Sequence, residues 1–85
     1  MNNVQAEIAK LKGYLENEPC PNWTGSMNDA WDLFDELPGS PGIKKTNSGY
    51  MVWSQDANPM KNAFDPITDK VAPMAICLAW LFCNR

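Results

Sequence analysis

The run from Val71 to Cys83, VAPMAICLAWLFC, contains no charged residue, and from Met74 onward it contains no polar side chain. A membrane-spanning helix needs ~20 apolar residues, whereas this run has thirteen. It therefore reads as a buried helix that begins between 70 and 73, with Pro73 in its first turn, where a missing N–H is tolerated. A helix that is apolar all round is either central in a core or has one side in an interface. With 85 residues in the chain, full enclosure of a terminal helix is hard, because a domain of this size buries only ~60% of its unfolded surface. One domain covering residues 1–85, a single modest core and some self-association through this helix are expected.

The rest of the chain has to supply the other layers of that core. Val4, Ile8, Leu11 and Leu15 recur at helical spacing, which predicts a first helix over 2–16 with Asn2 as its N-cap and Gln5 in the capping-box position. Glu7 with Lys10, and Lys12 with Glu16, are spaced to pair on its exposed side. Gly13 weakens this helix, and the segment Asn17–Pro21 ends it. After a loop that carries Cys20 and Trp23, Ser26-x-x-Asp29 is a capping box for a second helix over 27–37. Met27, Ala30, Trp31, Phe34 and Leu37 form its apolar face, broadened by Leu33, and Asp29, Asp32, Asp35 and Glu36 take the other side. Pro38-Gly39 stops it.

The middle of the chain is richer in turns. Ile43–Thr46 and Tyr50–Ser54 read as a β-hairpin around Asn47-Ser48-Gly49. Apolar residues alternate onto both faces of the second strand, which predicts a sheet covered on both sides. Residues 55–70 are polar and broken by Pro59 and Pro66, with Ala63-Phe64 the one place for a short edge strand and an irregular loop as the alternative. The expected fold class is α+β: a small antiparallel sheet packed with three helices in the order α-α-β-β-α. Ile8, Leu11, Leu15, Trp31, Phe34, Val52, Ile76, Leu78 and Trp80 are its expected core.

Several chemistries are excluded by what is missing. The sequence has no histidine, so it lacks an imidazole base, a Ser-His or Cys-His pair and any His-containing zinc site. Cys20, Cys77 and Cys83 contain no C-x-x-C pair and fall one short of a Cys₄ site. Cys77 and Cys83 would lie ~9 Å apart along a helix, beyond disulfide reach. The net charge of −3 disfavours nucleic acid as a partner. The opening MNNVQAEIAK has no basic region followed by an apolar stretch, so no signal peptide is expected.

Gly39–Thr46 resembles a P-loop only loosely, because the glycine before the lysine is missing, Pro41 removes a backbone donor, and a helix precedes it instead of a strand. Asp56-x-Asn58 opens like a calcium loop, but Lys61 and Ile67 stand where glycine and glutamate are needed. Asp65 and Asp69 are candidates for capping the last helix, and Cys20 has no visible base that would make it a nucleophile. No catalytic residue, metal site or cofactor is expected, and the chain does not read as an enzyme. The aromatics are the best positive evidence for function. Trp31 and Trp80 sit on apolar helix faces, whereas Trp23 and Tyr50 sit in or beside loops, where such side chains anchor partners as often as they pack.

Two blocks carry a family resemblance. Ser26-Met27-Asn28-Asp29-Ala30-Trp31-Asp32-Leu33 and Ala72-Pro73-Met74-Ala75-Ile76-Cys77-Leu78-Ala79 resemble the phage ABA-sandwich domain, which pairs a capped "D-x-x-A-W" helix with an "A-P-x-A-I-C-x-A" helix around a small antiparallel sheet. The resemblance implies helices packed over a sheet and a bacteriophage or prophage origin; the odd, scattered cysteines fit a reducing cytoplasm, so the cytoplasm of a bacterial host is the expected place of action. The resemblance supplies no catalytic residues.

The first expectation for function is a small non-enzymatic phage accessory protein that binds and inhibits a host factor. Its expected partner-binding residues are Trp23, Asp32, Asp35, Glu36, Lys44, Lys45 and Tyr50. Two alternatives stand beside it. One is a nucleotide or small-molecule sponge using Trp23 or Tyr50 for stacking and Lys44 with Lys45 for phosphates, and the other is a phage structural or assembly protein held together by the apolar helix.

Overall fold

The computed structural model describes residues 3–16, 18–55 and 62–84. Three helices and a three-stranded antiparallel sheet follow one another as α1 (Asn3–Leu11), α2 (Met27–Asp35), β1 (Ser40–Thr46), β2 (Gly49–Gln55), β3 (Asn62–Asp69) and α3 (Ala72–Asn84). The class is α+β as expected, and the order gains one strand to become α-α-β-β-β-α. The sheet runs β1-β2-β3, with both neighbouring pairs antiparallel.

α1 stops earlier than the apolar spacing predicts. Gly13 adopts a φ of 90°, which reverses the chain in the left-handed region that glycine enters without penalty. Gly13 N–H donates to the Lys10 carbonyl at 3.1 Å and Tyr14 N–H to the Ala9 carbonyl at 2.9 Å, the paired bonds of a Schellman ending. Leu15 is thereby thrown off the helical stripe and is 75% exposed. Lys12 can no longer pair with Glu16 at helical spacing; it forms an ion pair with Glu36 at 2.6 Å. Asn2, the expected N-cap, lies outside the described residues. Gln5 fastens the following loop to α1, since its Nε2 donates to the Pro21 carbonyl at 2.5 Å and its Oε1 accepts from Thr24 N–H at 3.3 Å.

α2 begins as the sequence predicts. Ser26 is the N-cap and its Oγ accepts from Asp29 N–H at 3.4 Å. The Asp29 carboxylate reaches further back and accepts from Asn22 N–H at 3.0 Å, which ties the 22–26 turn to the helix.

The third strand overturns the irregular-loop alternative for 62–69. β3 pairs with β2 from Tyr50↔Asp69 to Gln55↔Asn62, and the register shifts between Val52 and Ser54, where the partners step from Ile67 to Phe64. Pro66 lies inside that shifted stretch, and β3 is an edge strand. Both circumstances let a residue without an N–H remain in a sheet. The residues that open the discarded calcium-loop pattern, Asp56 and Asn58, lie outside the described residues. Asp69 is a capping residue in effect: its Oδ1 accepts from Val71 N–H at 3.0 Å, just before α3.

α3 is the element that the others share, packing against α1, α2, β2 and β3. Seven of its residues are buried, from Pro73 through Leu81. The opposite side keeps Val71 51% and Phe82 60% exposed, with Met74 and Leu78 partly covered between them. On β2, Val52 and Ser54 are fully buried and the alternate residues Met51 and Trp53 are not. The expectation of a sheet covered on both faces is therefore corrected. Trp53 gains its partial cover from the neighbouring strand, because its ring lies against Gly42, where a Cβ would come within 2.5 Å of it. The buried Ser54 hydroxyl donates to the Pro38 carbonyl, so its one polar atom is satisfied.

Three expected core residues are outside the core: Leu11, Leu15 and Trp31 are exposed, and Leu78 is only partly buried. Trp23 fills the centre in their place, at 2% exposure and edge-on to Tyr14 with ring centroids 5.7 Å apart. Replacing the fully packed Trp23 with alanine should lower the unfolding free energy by ~3–5 kcal/mol. Trp31→Ala should lower it by only ~1 kcal/mol, mostly the loss of one ring stack. Urea denaturation of the two variants tests the assignment, and equal losses would contradict it.

Candidate functional site

The seven residues singled out for partner contact do not form one surface. Trp23 is buried and is corrected from a contact residue to a core residue. Its loop position misled because Gln5 pins that loop onto α1 and presses the indole inward.

Glu36 caps α2 and is bound by Lys12, whose Nζ also stands 5.4 Å from the centroid of the Trp80 ring. This arrangement clips the end of α1 to the ends of α2 and α3, and gives Glu36 a partner within the chain. Among the described residues Trp80 Nε1 is buried without a hydrogen-bond partner.

Lys44 and Lys45 are both exposed on the edge strand β1, but successive strand residues point to opposite faces. Lys45 stands across from Tyr50, and Tyr50 across from Asp69; Lys44 stands across from Met51. The two lysines cannot converge on one phosphate. A cavity of about 420 Å³ lies at this end of the sheet, lined by Thr46, Ser48, Tyr50, Thr68, Asp69, Lys70 and Val71.

Asp32 and Asp35 are exposed on α2 and are joined there by a residue that the sequence placed in the core. Trp31 is 41% exposed and stacks on Phe34, with centroids 5.1 Å apart and planes 27° from parallel. Asp35 follows Trp31 by four residues and Asp32 by three, the spacings at which side chains are neighbours on a helix. Trp31, Phe34, Asp35, Leu37, Gly39 and Pro41 line a cavity of about 330 Å³ between α2 and the start of β1. An aromatic plate with the Asp35 carboxylate on its rim can take a cationic group by ring-face and charge attraction together.

A helical projection would have shown Trp31 to be off the core. Ala30, Leu33, Phe34 and Leu37 are the buried residues here, and Trp31 lies roughly 110° from the centre of their sector at about 100° per residue. Counting Met27 and Trp31 into the apolar face hid this.

The two ends of β1 are too far apart to act together within one chain. Pro41 is at the Trp31–Asp35 cavity and Lys45 at the Tyr50 end, four residues along a strand, or ~13 Å.

A further cavity, of about 640 Å³, holds none of the predicted contact residues. Gln5, Ala6, Ala9, Lys10, Tyr14, Leu15, Glu16, Glu18 and Cys20 line it, so it brings together one cation, two carboxylates and an exposed thiol. Among the described residues no group of three or more His, Cys, Asp or Glu is placed to hold a metal ion, and no helix is long and apolar enough to cross a membrane.

All three cysteines are free thiols. Burial in the core pushes the Cys77 thiol up to about 12, and burial also raises that of Cys83. Comparison with protein-family models, curated proteins and solved structures finds no match to this chain.

The thiols give a direct check on this geometry. Under native conditions a thiol-specific reagent at mildly alkaline pH should modify Cys20 first, Cys83 slowly and Cys77 only after unfolding, because thiolate is the reactive form. Labelling of Cys77 as fast as that of Cys20 would place α3 differently.

Proposed function

We propose that this protein is a non-catalytic binding protein that docks the Trp31–Asp35–Asp32 face of α2 onto a basic surface of another protein and blocks it. The observation that carries this reading is the exposed Trp31, held flat on Phe34 beside two exposed carboxylates. Tryptophan is the side chain most enriched at the energetic centre of interfaces, and a ring fixed by stacking loses little freedom on binding. Flanking carboxylates speed encounter with a cationic partner and select against acidic ones.

Resemblance to phage proteins points to a bacterial host factor as the partner and to inhibition in the host cytoplasm as the outcome. The sponge reading loses support, because Lys44 and Lys45 lie on opposite faces of the sheet.

Tagged protein recovered from a bacterial lysate and examined by native mass spectrometry identifies the partner, and variants then test the face. Trp31→Ala should weaken binding by about tenfold or more, as interface tryptophans do. Asp32→Lys with Asp35→Lys should slow association and flatten its dependence on salt. Binding unchanged in both variants would exclude this face.

A further inference from the structure

β1 is an edge strand; among the described residues no strand pairs with its outer edge, and that edge is chemically lopsided. The hairpin closes with Thr46 opposite Gly49 across Asn47-Ser48. A two-residue loop of this kind makes Thr46 and Gly49 a hydrogen-bonded pair, and alternation then makes Lys44–Met51 and Gly42–Trp53 hydrogen-bonded pairs as well. Pro41, Ile43 and Lys45 consequently turn their backbone groups away from β2. The edge offers the carbonyls of all three but the N–H of Ile43 and Lys45 only, since Pro41 has none. The same three residues share one side-chain face, which at Pro41 borders the cavity of Trp31 and Asp35.

The charges on this edge are arranged the same way. The cavity at the Pro41 end carries the exposed Asp35 carboxylate, and the exposed Lys44 and Lys45 stand toward the other end of the strand. Parallel pairing of two such edges would set lysine against lysine. Antiparallel pairing about a two-fold axis brings each basic end to the partner's acidic end.

We propose that a second copy of this chain pairs with the free edge of β1 in antiparallel register, Ile43 opposite the partner's Ile43, placing Lys45 of each copy at the Trp31–Asp35 cavity of the other. In this register each Ile43 both donates to and accepts from its symmetry mate. Each Lys45 N–H donates to the Pro41 carbonyl of the other copy, opposite the one residue that has no N–H to leave unpaired. The two sheets become one, and the Lys45 ammonium meets the Asp35 carboxylate and the face of Trp31. A two-fold axis makes this contact twice. The inference rests on the reading of that face as a receptor for a cationic group, and it gives the face a regulation: the dimer covers it, and a basic partner competes with Lys45 for it.

Sedimentation equilibrium across micromolar to millimolar protein tests this. The wild-type chain should show a monomer–dimer equilibrium that weakens with salt. Lys45→Glu and Asp35→Lys should each raise the dissociation constant by at least about tenfold, since each sets like charges together twice. Lys45→Glu combined with Asp35→Lys should restore dimerisation.

Amide hydrogen exchange on the wild-type chain gives a reading that needs no variant: Ile43 and Lys45 should become protected as concentration rises, and Lys44 should not change. A chain that is monomeric throughout the range overturns the proposal. So does a dimer that ignores both charge changes, or one that Phe82→Glu alone dissolves, which would place the contact on α3. Lys45→Glu leaves Trp31, Asp32 and Asp35 intact, so it should lose the dimer and still capture the host partner. Loss of partner capture together with an intact wild-type dimer would count against the docking reading and not against the dimer.

Discussion

Burial of one side of α3 is the constraint on which the rest of this structure depends. A thirteen-residue helix without a charge cannot stand in water, and in this fold it is also the element that touches both outer helices and two strands. Ile76, Cys77, Trp80 and Leu81 are lost from solvent on that side, each large side chain contributing ~1.5–3 kcal/mol of transfer free energy. The remaining elements are short: α1 and α2 have nine residues each, fewer than an isolated helix needs to persist in water. They hold because α3 gives their apolar stripes something to pack on. The Lys12–Glu36–Trp80 cluster then fixes how the three helix ends meet. A single ion pair of this exposure adds ~0–1 kcal/mol, so its contribution is orientation more than stability.

Fold class and most element types were legible because they follow from short-range chemistry. Ser26 before an acidic turn announces a helix start, Asn47-Ser48-Gly49 between β-formers announces a hairpin, and the composition of α3 announces burial. What escaped was decided by single residues acting against the pattern around them. Gly13 ended α1 about one turn before Leu15 could join the stripe. Pro66 argued against a strand in a segment whose edge position and bulge made proline harmless. Trp23 looked like a loop aromatic until the Gln5 amide, read as a capping group, proved to hold the loop down. The proposed contact face was legible only in part. Asp32 and Asp35 were recognised, but hydrophobicity alone sent Trp31 to the core, and angular position on the helix brings it back out.

The division of charge along β1 shapes the binding chemistry more than the net charge of the chain does. A small excess of acid spread evenly would steer little. Here the Asp35 carboxylate stands next to an exposed ring at one end of a strand, and the cations stand on both faces toward the other. Those cations also protect the edge, since lysine and proline on an edge strand disfavour indiscriminate pairing with other chains. An edge that repels most strands while matching a strand of the right polarity is selective by the same groups that make it soluble.

Gly49 links events that are far apart in the chain. Its φ is 148°, and any Cβ there would run into the Asp69 carbonyl and come within 2.8 Å of the Lys70 Cα. The hairpin turn that it completes is a local structure that forms in microseconds. The stretch that leans on it arrives from the far end of β3 and leads directly into α3. Closure of that longer loop is the slow, entropically demanding part of assembling such a chain. The bare α-carbon at position 49 leaves room for the Asp69–Lys70 backbone, so the chain's entry into α3 packs on a residue that contributes no side chain at all.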